Sequence, residues 1–181
     1  MKTFGFCIEK CSYITSEEQI DVSFIPPIIR RRLSLLDKIA LTTMQKVFED
    51  SVEEIVFSSQ YGEFLRLNEL IKEYQEIGET SPTKFSASVH NYPVSFFTLY
   101  KKLNLPYYAL SAGENSFASG LIKSIGKHTL YTYADIYDGI KSISCIISSS
   151  QNDIKISSES LLIITFEEFI DMLKPSFFIC Y

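Results

Sequence analysis

The chain has 181 residues, of which 46% are apolar and 22% are charged, and its formal net charge is −5. These values exclude a disordered chain, predict one domain spanning residues 1–181, and argue against non-specific binding of nucleic acid. No window reaches the roughly 18 apolar residues of a membrane span. Because Met1–Cys11 also lacks the pattern of a signal peptide, we expect a cytoplasmic protein without a membrane span.

The four cysteines do not form a metal-binding pattern. Cys7 and Cys11 are close in sequence, whereas Cys145 and Cys180 stand alone. A zinc site needs a second cysteine pair or histidines at a suitable spacing, and the chain has neither. We therefore predict no metal site and expect buried or idle thiols.

The first third of the chain alternates between strand and helix patterns. Aromatic and β-branched residues at 4–8 predict a strand in the first dozen residues, and the two prolines that begin at Pro26 exclude regular structure there. A helix is expected to begin near Ser34, with Asp37 as its capping-box partner. The apolar stretch 54–58 then predicts a strand buried inside a sheet.

Two further helices are predicted from apolar residues at helical spacing. The second helix presents Leu67, Leu70, Ile71 and Tyr74 on one face, has a solvated opposite face, and ends at Gly78. Residues 81–91 are small, polar and irregular, and Pro93 suits the first position of the third helix. The apolar stripe of the third helix consists of Phe96, Leu99, Tyr100 and Leu103.

The stretch Ser111–Leu121 has the layout of a nucleophile elbow, in which a strand, a tight turn and a helix present a side chain at the helix N-terminus. An apolar strand over 107–110 precedes it, and a helix ending at Gly126 follows it. The buried stripe of that helix is expected to consist of Ala118, Leu121, Ile122 and Ile125. The turn residues are Gly113, Glu114 and Asn115, and none of them is a usual nucleophile.

Beyond the elbow, strands are predicted over 129–134 and 142–149, with a turn over 135–139 between them. Residues 151–159 are polar and predict a loop. Residues 161–165 fit either a strand or the approach to a helix that carries Phe166, Phe169, Ile170 and Leu173 and ends at Pro175. Residues 176–181 are a candidate closing strand. The whole pattern predicts an α/β fold with a mixed sheet covered on both faces by helices.

Three stretches followed by the elbow resemble the N-terminal half of a β-ketoacyl synthase. They are PIIRRRLSLLDKIA (27–40), VFSSQYGE (56–63) and SPTKFSASVHN (81–91). The resemblance covers about Phe24 to Ser124. The chain resembles above all the short β-ketoacyl-synthase-like proteins found beside aryl polyene and related type II fatty-acid or polyketide machinery. It implies half of a thiolase-like fold, with a mainly parallel mixed sheet.

The resemblance also implies what the elbow does in active members of the family. There a cysteine, favoured as a thiolate by the helix N-terminus, takes the acyl group from an acyl carrier protein, and two histidines from the second half assist the condensation. In this chain the cysteine position falls on Gly113, Glu114 or Asn115, with Glu114 the preferred assignment. We expect the half that supplies the histidines to be absent, and neither His90 nor His128 stands in a matching motif.

The resemblance therefore predicts a non-catalytic accessory protein that pairs with a full-length ketosynthase or an acyl carrier protein. We expect this protein to have no cofactor of its own, although acyl groups borne on phosphopantetheine could reach it through a carrier protein. The alternatives are a malonyl-carrier decarboxylase, a small acyl-transfer or hydrolase enzyme with Ser116 as nucleophile and His90 as base, and self-association through an apolar face. The basic cluster Arg30–Arg32 could meet an acidic carrier protein or be a solvated helix start.

Overall fold

The structure is a computed structural model that describes residues 3–149, 154–157 and 164–173. Within these residues the strands are β1 (Thr3–Ile14), β2 (Glu54–Ser58), β3 (Tyr107–Leu110), β4 (Thr129–Asp135), β5 (Lys141–Ser148) and β6 (Ile154–Ser157). The helices are α1 (Pro27–Arg30), α2 (Leu35–Val47), α3 (Phe64–Ile77), α4 (Pro82–Ser86), α5 (Tyr92–Lys101), α6 (Ser116–Lys123) and α7 (Phe166–Leu173), with a short 3-10 turn at Glu17–Gln19.

The strands form one mixed sheet in the order β3-β2-β4-β5-β1-β6. β2 runs parallel to β3 and β4, whereas β5 is antiparallel to β4 and β1, and β6 is antiparallel to β1. The predicted mixed α/β sheet is therefore confirmed. The sheet was also predicted to be mainly parallel. Four of the six described strands, β1 to β4, run in the same direction, but most pairs of neighbouring strands are antiparallel.

Helices cover both faces of the sheet, and each face has its own hydrophobic core. On one face α2 and α5 pack on Ile55 and Phe57 of β2. On the other face α6 and α7 pack on Val56 of β2 and Tyr131 of β4. Because successive residues of a strand point to opposite faces, β2 is buried along its whole length, as expected for a central strand.

The start of α2 follows the prediction in detail. The backbone N–H of Asp37 donates to Ser34 Oγ at 2.9 Å, and the backbone N–H of Ser34 donates to Asp37 Oδ2 at 2.8 Å. This is a complete capping box, which satisfies N–H groups that have no partner within the helix.

Three segments contain more regular structure than the sequence predicts. Pro27 begins the short helix α1 because its fixed φ suits a first turn, where no N–H is required. Pro82 begins α4, with Ser81 as the cap, inside the segment expected to be irregular. Residues 154–157 form β6 and pair with the start of β1, where a loop was expected. Residues 161–163 and the predicted end at 175–181 lie outside the described residues.

The predicted inward stripe of α3 is wrong. Among its residues only Leu70 is buried, whereas Leu67, Ile71 and Tyr74 are 42%, 46% and 61% exposed. We call Leu67, Ile71, Tyr74 and the exposed Ile77 the α3 apolar face.

The stripe predicted for α5 is also partly wrong. Leu99 is exposed, and the buried apolar side chains of this helix are Val94 and Phe97. Phe96 and Tyr100 are only partly buried. No described helix is long and apolar enough to cross a membrane.

Candidate functional site

The predicted strand-turn-helix elbow is present at the carboxyl edge of the parallel strands. β3 ends at Leu110, the turn spans 111–115, and α6 begins at Ser116. Gly113 has φ +58°, a left-handed conformation that glycine adopts without the steric cost of a side chain. The five turn residues are exposed, so the shape of an elbow is retained at the surface.

No described cysteine stands at this turn, since Cys7, Cys11 and Cys145 all lie on β1 and β5. Two backbone N–H groups of the turn are also occupied. The N–H of Asn115 donates to Ala112 O at 3.2 Å, and that of Ser116 donates to Gly113 O at 3.1 Å. The turn therefore presents the carboxylate of Glu114 and the amide of Asn115, and neither has a thiol that could hold an acyl group as a thioester.

Ser116 and His90 are both held by main-chain groups. Ser116 is fully buried; its hydroxyl donates to Gly113 O at 2.6 Å and accepts from the N–H of Ala112 at 2.9 Å. His90 Nε2 hydrogen-bonds to Leu110 O at 2.9 Å. A Cβ atom on Gly62 would lie 2.5 Å from His90 Nδ1, so the imidazole is packed beneath this glycine. These contacts stabilise the turn and do not favour a hydrolase built on Ser116.

Asp135, at the end of β4, is a site residue that the sequence analysis treated only as part of a turn. It is buried, and its Oδ2 accepts hydrogen bonds from the N–H groups of Gln60 at 2.7 Å and Tyr61 at 3.2 Å. Ser111 Oγ in turn donates to Gln60 O at 3.2 Å. Asp135 therefore holds the loop that follows β2 beside the elbow.

A buried charged cluster also escaped the sequence analysis. Asp37 and Glu63 are both buried, and Arg66 lies 3.4 Å from Asp37 Oδ2 and 3.5 Å from Glu63 Oε2. Burial and the Glu63 charge raise the pKa of Asp37 well above its ordinary value, and burial also raises the pKa of Glu63. No sequence motif marks this pair, since the two acids are brought together by the packing of α3 beside the start of α2.

The cluster borders a surface cavity of about 510 Å³. Arg31, Arg32 and Lys84 line it together with Glu63 and Arg66. The guanidinium of Arg66 closes part of its wall by donating to Ala87 O at 2.7 Å and Arg32 O at 3.1 Å. Two arginines of the predicted basic cluster therefore face a mixed-charge cavity rather than bulk solvent alone.

Glu9, Glu49 and His128 bring three possible metal-ligand atoms within 4.8 Å of one another. His128 Nε2 lies 3.3 Å from Glu9 Oε2 and 3.5 Å from Glu49 Oε1. A hydrogen bond to Ser51 O and the nearby carboxylates raise the pKa of His128, with burial opposing them. The two carboxylates therefore favour the charged form of the imidazole, with which they would form ion pairs.

Comparison with known proteins identifies the class of protein. The family model described as "Beta-ketoacyl synthase, N-terminal domain" matches residues 9–130, well over half of the chain. The chain belongs to this family.

Among solved structures, the fold is similar to a chain of "Ketosynthase (ApeO) in Complex with its Chain Length Factor (ApeC) from Xenorhabdus doucetiae". The TM-score is 0.67 at 20% sequence identity, and the match covers 82% of this chain and 81% of that chain. It confirms the thiolase-like fold. Among curated proteins, no sequence matches this chain.

Proposed function

We propose that this chain is a non-catalytic β-ketoacyl-synthase-like subunit that pairs with a full-length ketosynthase in acyl-chain assembly of the fatty-acid or polyketide type. The observation that carries the proposal is the elbow, which keeps its shape but places Gly113, Glu114 and Asn115 where an acyl-accepting thiol is required. Glu114 remains our preferred assignment for the position of the missing cysteine.

The similar structure supports a ketosynthase as the partner. That structure contains a ketosynthase together with a chain length factor, and the coverage values of 82% and 81% mean that the matched chain is about as long as this one. A short chain with this fold therefore occurs in a ketosynthase assembly. We propose accordingly that residues 1–181 act as one β-ketoacyl-synthase N-terminal-like domain beside a larger synthase.

Two exposed surfaces provide places for such a partner. The four side chains of the α3 apolar face are 42% to 66% exposed, and an apolar face left in water is typical of an interaction site. Within the part of the chain that the structure describes, β3 is an edge strand, with one side of its backbone paired to β2 and with Tyr107 and Tyr108 both exposed. Binding of a second protein to these surfaces would remove apolar side chains and an unpaired strand edge from water.

An acyl carrier protein is the second partner in this proposal. The exposed Arg31 and Arg32 line the cavity beside α3 and offer cationic groups to an acidic surface. An acyl chain on phosphopantetheine would then be presented to the pair by the carrier protein rather than bound covalently by this chain.

The test is co-expression of the tagged chain with the ketosynthase encoded nearest to it, followed by affinity purification and light scattering. The proposal predicts retention of the synthase in equimolar amount. Elution of the tagged chain as a lone monomer contradicts it. Elution as a homodimer without synthase would instead support self-association through an apolar face.

Malonyl decarboxylation is a second candidate, because Glu114 is an exposed carboxylate at the turn before α6. The chain would be incubated with malonyl-loaded carrier protein, and released carbon dioxide would be measured. Release that is lost in Glu114→Ala but kept in the surface variant Glu17→Ala would establish this activity and overturn the non-catalytic proposal. If the release of carbon dioxide does not exceed that of a protein-free control, the result supports the accessory role.

A further inference from the structure

Two cysteines lie opposite each other on the neighbouring strands β1 and β5. Cys11 of β1 and Cys145 of β5 are direct register partners in an antiparallel pair. Their Sγ atoms are 2.7 Å apart. Opposite residues of such a pair have Cα atoms about 4.5–5.5 Å apart, which is within the range that a disulfide bridges. A covalent bond between these sulfurs therefore requires little movement of the backbone.

The two thiols differ in their access to solvent. Cys145 is fully buried in the core beneath α6 and α7. Cys11 is partly buried and packs against the edge of the same core. Reactivity of a thiol with a small oxidant depends on exposure as well as on thiolate character, so Cys11 is the sulfur that an oxidant reaches first.

We propose that Cys11 and Cys145 are a reversible oxidation site that forms a disulfide with a small peroxide such as hydrogen peroxide. The thiolate of Cys11 attacks one peroxide oxygen, the O–O bond breaks, and hydroxide leaves, which gives a sulfenic acid on Cys11. The sulfur of Cys145 then attacks the sulfur of Cys11, the S–O bond breaks, and water leaves with the Cys145 proton. Two thiols lose two electrons in total, and one peroxide is reduced to two waters.

The disulfide would covalently link two residues that are far apart in the sequence. Its two residues are 134 positions apart, and Cys145 lies beyond the residues 9–130 that the family model matches. A disulfide that closes a long loop restricts the unfolded chain and thereby stabilises the folded one. Oxidation is therefore expected to stabilise the pairing of β1 with β5 without rearranging the sheet.

The four cysteines can be distinguished by a tryptic digest. Cleavage after lysine and arginine places them in four separate peptides, which are 3–10, 11–30, 142–155 and 156–181. The full chain would be treated with hydrogen peroxide or with dithiothreitol, alkylated, digested without reductant, and analysed by mass spectrometry. The proposal predicts a linked pair of 11–30 with 142–155 after peroxide, and its loss after dithiothreitol.

Any other linkage pattern overturns the proposal. Such outcomes are the absence of the linked pair, a link that involves peptide 3–10 or 156–181 instead, and a disulfide between two copies of the chain on a non-reducing gel. The matched control is Cys7→Ser, on the same strand as Cys11 but opposite Ser148 in the register, which must leave the linked pair unchanged.

Thermal unfolding provides a second measurement that uses the native sequence. The oxidised chain is expected to melt about 5–10 °C above the reduced chain, the rise expected of a loop-closing disulfide in a domain of this size. Cys11→Ser must abolish the difference, and Cys7→Ser must keep it. Equal melting temperatures for oxidised and reduced native chain would contradict the proposal.

Discussion

The carboxylate of Asp135 accepts a hydrogen bond from the backbone N–H of Gln60 at 2.7 Å, and this contact joins the ends of β4 and β2. The same oxygen accepts from Ser59 Oγ at 3.2 Å and from Tyr133 OH at 3.4 Å. A buried carboxylate is stable only when such donors replace water. Asp135 therefore organises the loop against which the elbow rests.

Replacement of Asp135 by alanine is expected to destabilise the protein by about 2–4 kcal/mol, because several buried donors lose their acceptor at once. Urea unfolding followed by circular dichroism measures the change. Asp138→Ala is the matched control, since this acid lies exposed in the following turn and should change the free energy of unfolding by less than about 0.5 kcal/mol. Equal effects of the two substitutions on the free energy of unfolding would show that Asp135 does not organise this loop.

At Gly120, helix α6 packs directly against side chains of β2 and β4. A Cβ atom there would clash with the side chain of Ser58 and lie 2.6 Å from Cε2 of Tyr131. Gly120→Ala is therefore expected to cost about 1–3 kcal/mol, even though alanine favours the helix. Ser119→Ala, one residue away on the same helix, should be nearly neutral. A Gly120→Ala protein as stable as the native one in urea would show that α6 can move away from the sheet.

The buried acids predict an unusual pH dependence. Because burial and the Glu63 charge raise the pKa of Asp37, and burial raises the pKa of Glu63, the folded protein holds their protons more tightly than the unfolded chain does. Their contribution to the free energy of unfolding therefore falls as the pH rises from about 4 through the raised pKa values. Asp37→Asn cannot ionise, so the stability of the native protein relative to this variant should decline over that range.

The comparison is made by urea unfolding at a series of pH values, which cancels the contributions of the other carboxyl groups. Asp50→Asn, which removes an exposed acid in the loop after α2, is the matched control for the loss of one carboxyl group. A native-minus-variant difference for Asp37→Asn that stays constant or increases with pH would mean that Arg66 keeps both acids ionised at ordinary pKa values.

The α3 apolar face is expected to contribute to binding of the ketosynthase. Ile71→Glu should weaken the complex at least tenfold, about 1.4 kcal/mol, because a charge would be buried at an apolar contact. Lys72→Gln changes the net charge by the same amount on a neighbouring, polar side of α3 and should leave the dissociation constant unchanged. Both residues are exposed, so neither substitution should reduce the melting temperature of the free chain. Equal affinities would exclude this face from the interface.

Local sequence signals predicted those parts of the fold that local chemistry determines. Ser34 and Asp37 are three residues apart and form the capping box by themselves. The succession of an apolar strand, a turn of small residues and a helix was sufficient to identify the elbow. The resemblance carried by the three motifs then led to the family, because those motifs occur in the same order and spacing.

Tertiary neighbours determine what the sequence could not predict. The periodicity of α3 shows that one face is apolar, but it cannot show whether another element covers that face. Within the described part of the chain, Leu70 is the only residue of α3 that is buried. Asp37 and Glu63 are 26 positions apart in sequence, and Asp135 is 75 from its partner Gln60, so no spacing rule connects them. Burial and charge at these positions arise from packing.

The accessory role is tested most directly by the rate at which the cognate ketosynthase forms condensed product from acyl-loaded and malonyl-loaded carrier proteins, measured at increasing amounts of this chain. We predict that the chain alone forms no product, and that the rate of the synthase rises with added chain until the two are equimolar. A rate that is independent of the chain at every ratio, or product formed by the chain without the synthase, would contradict this account.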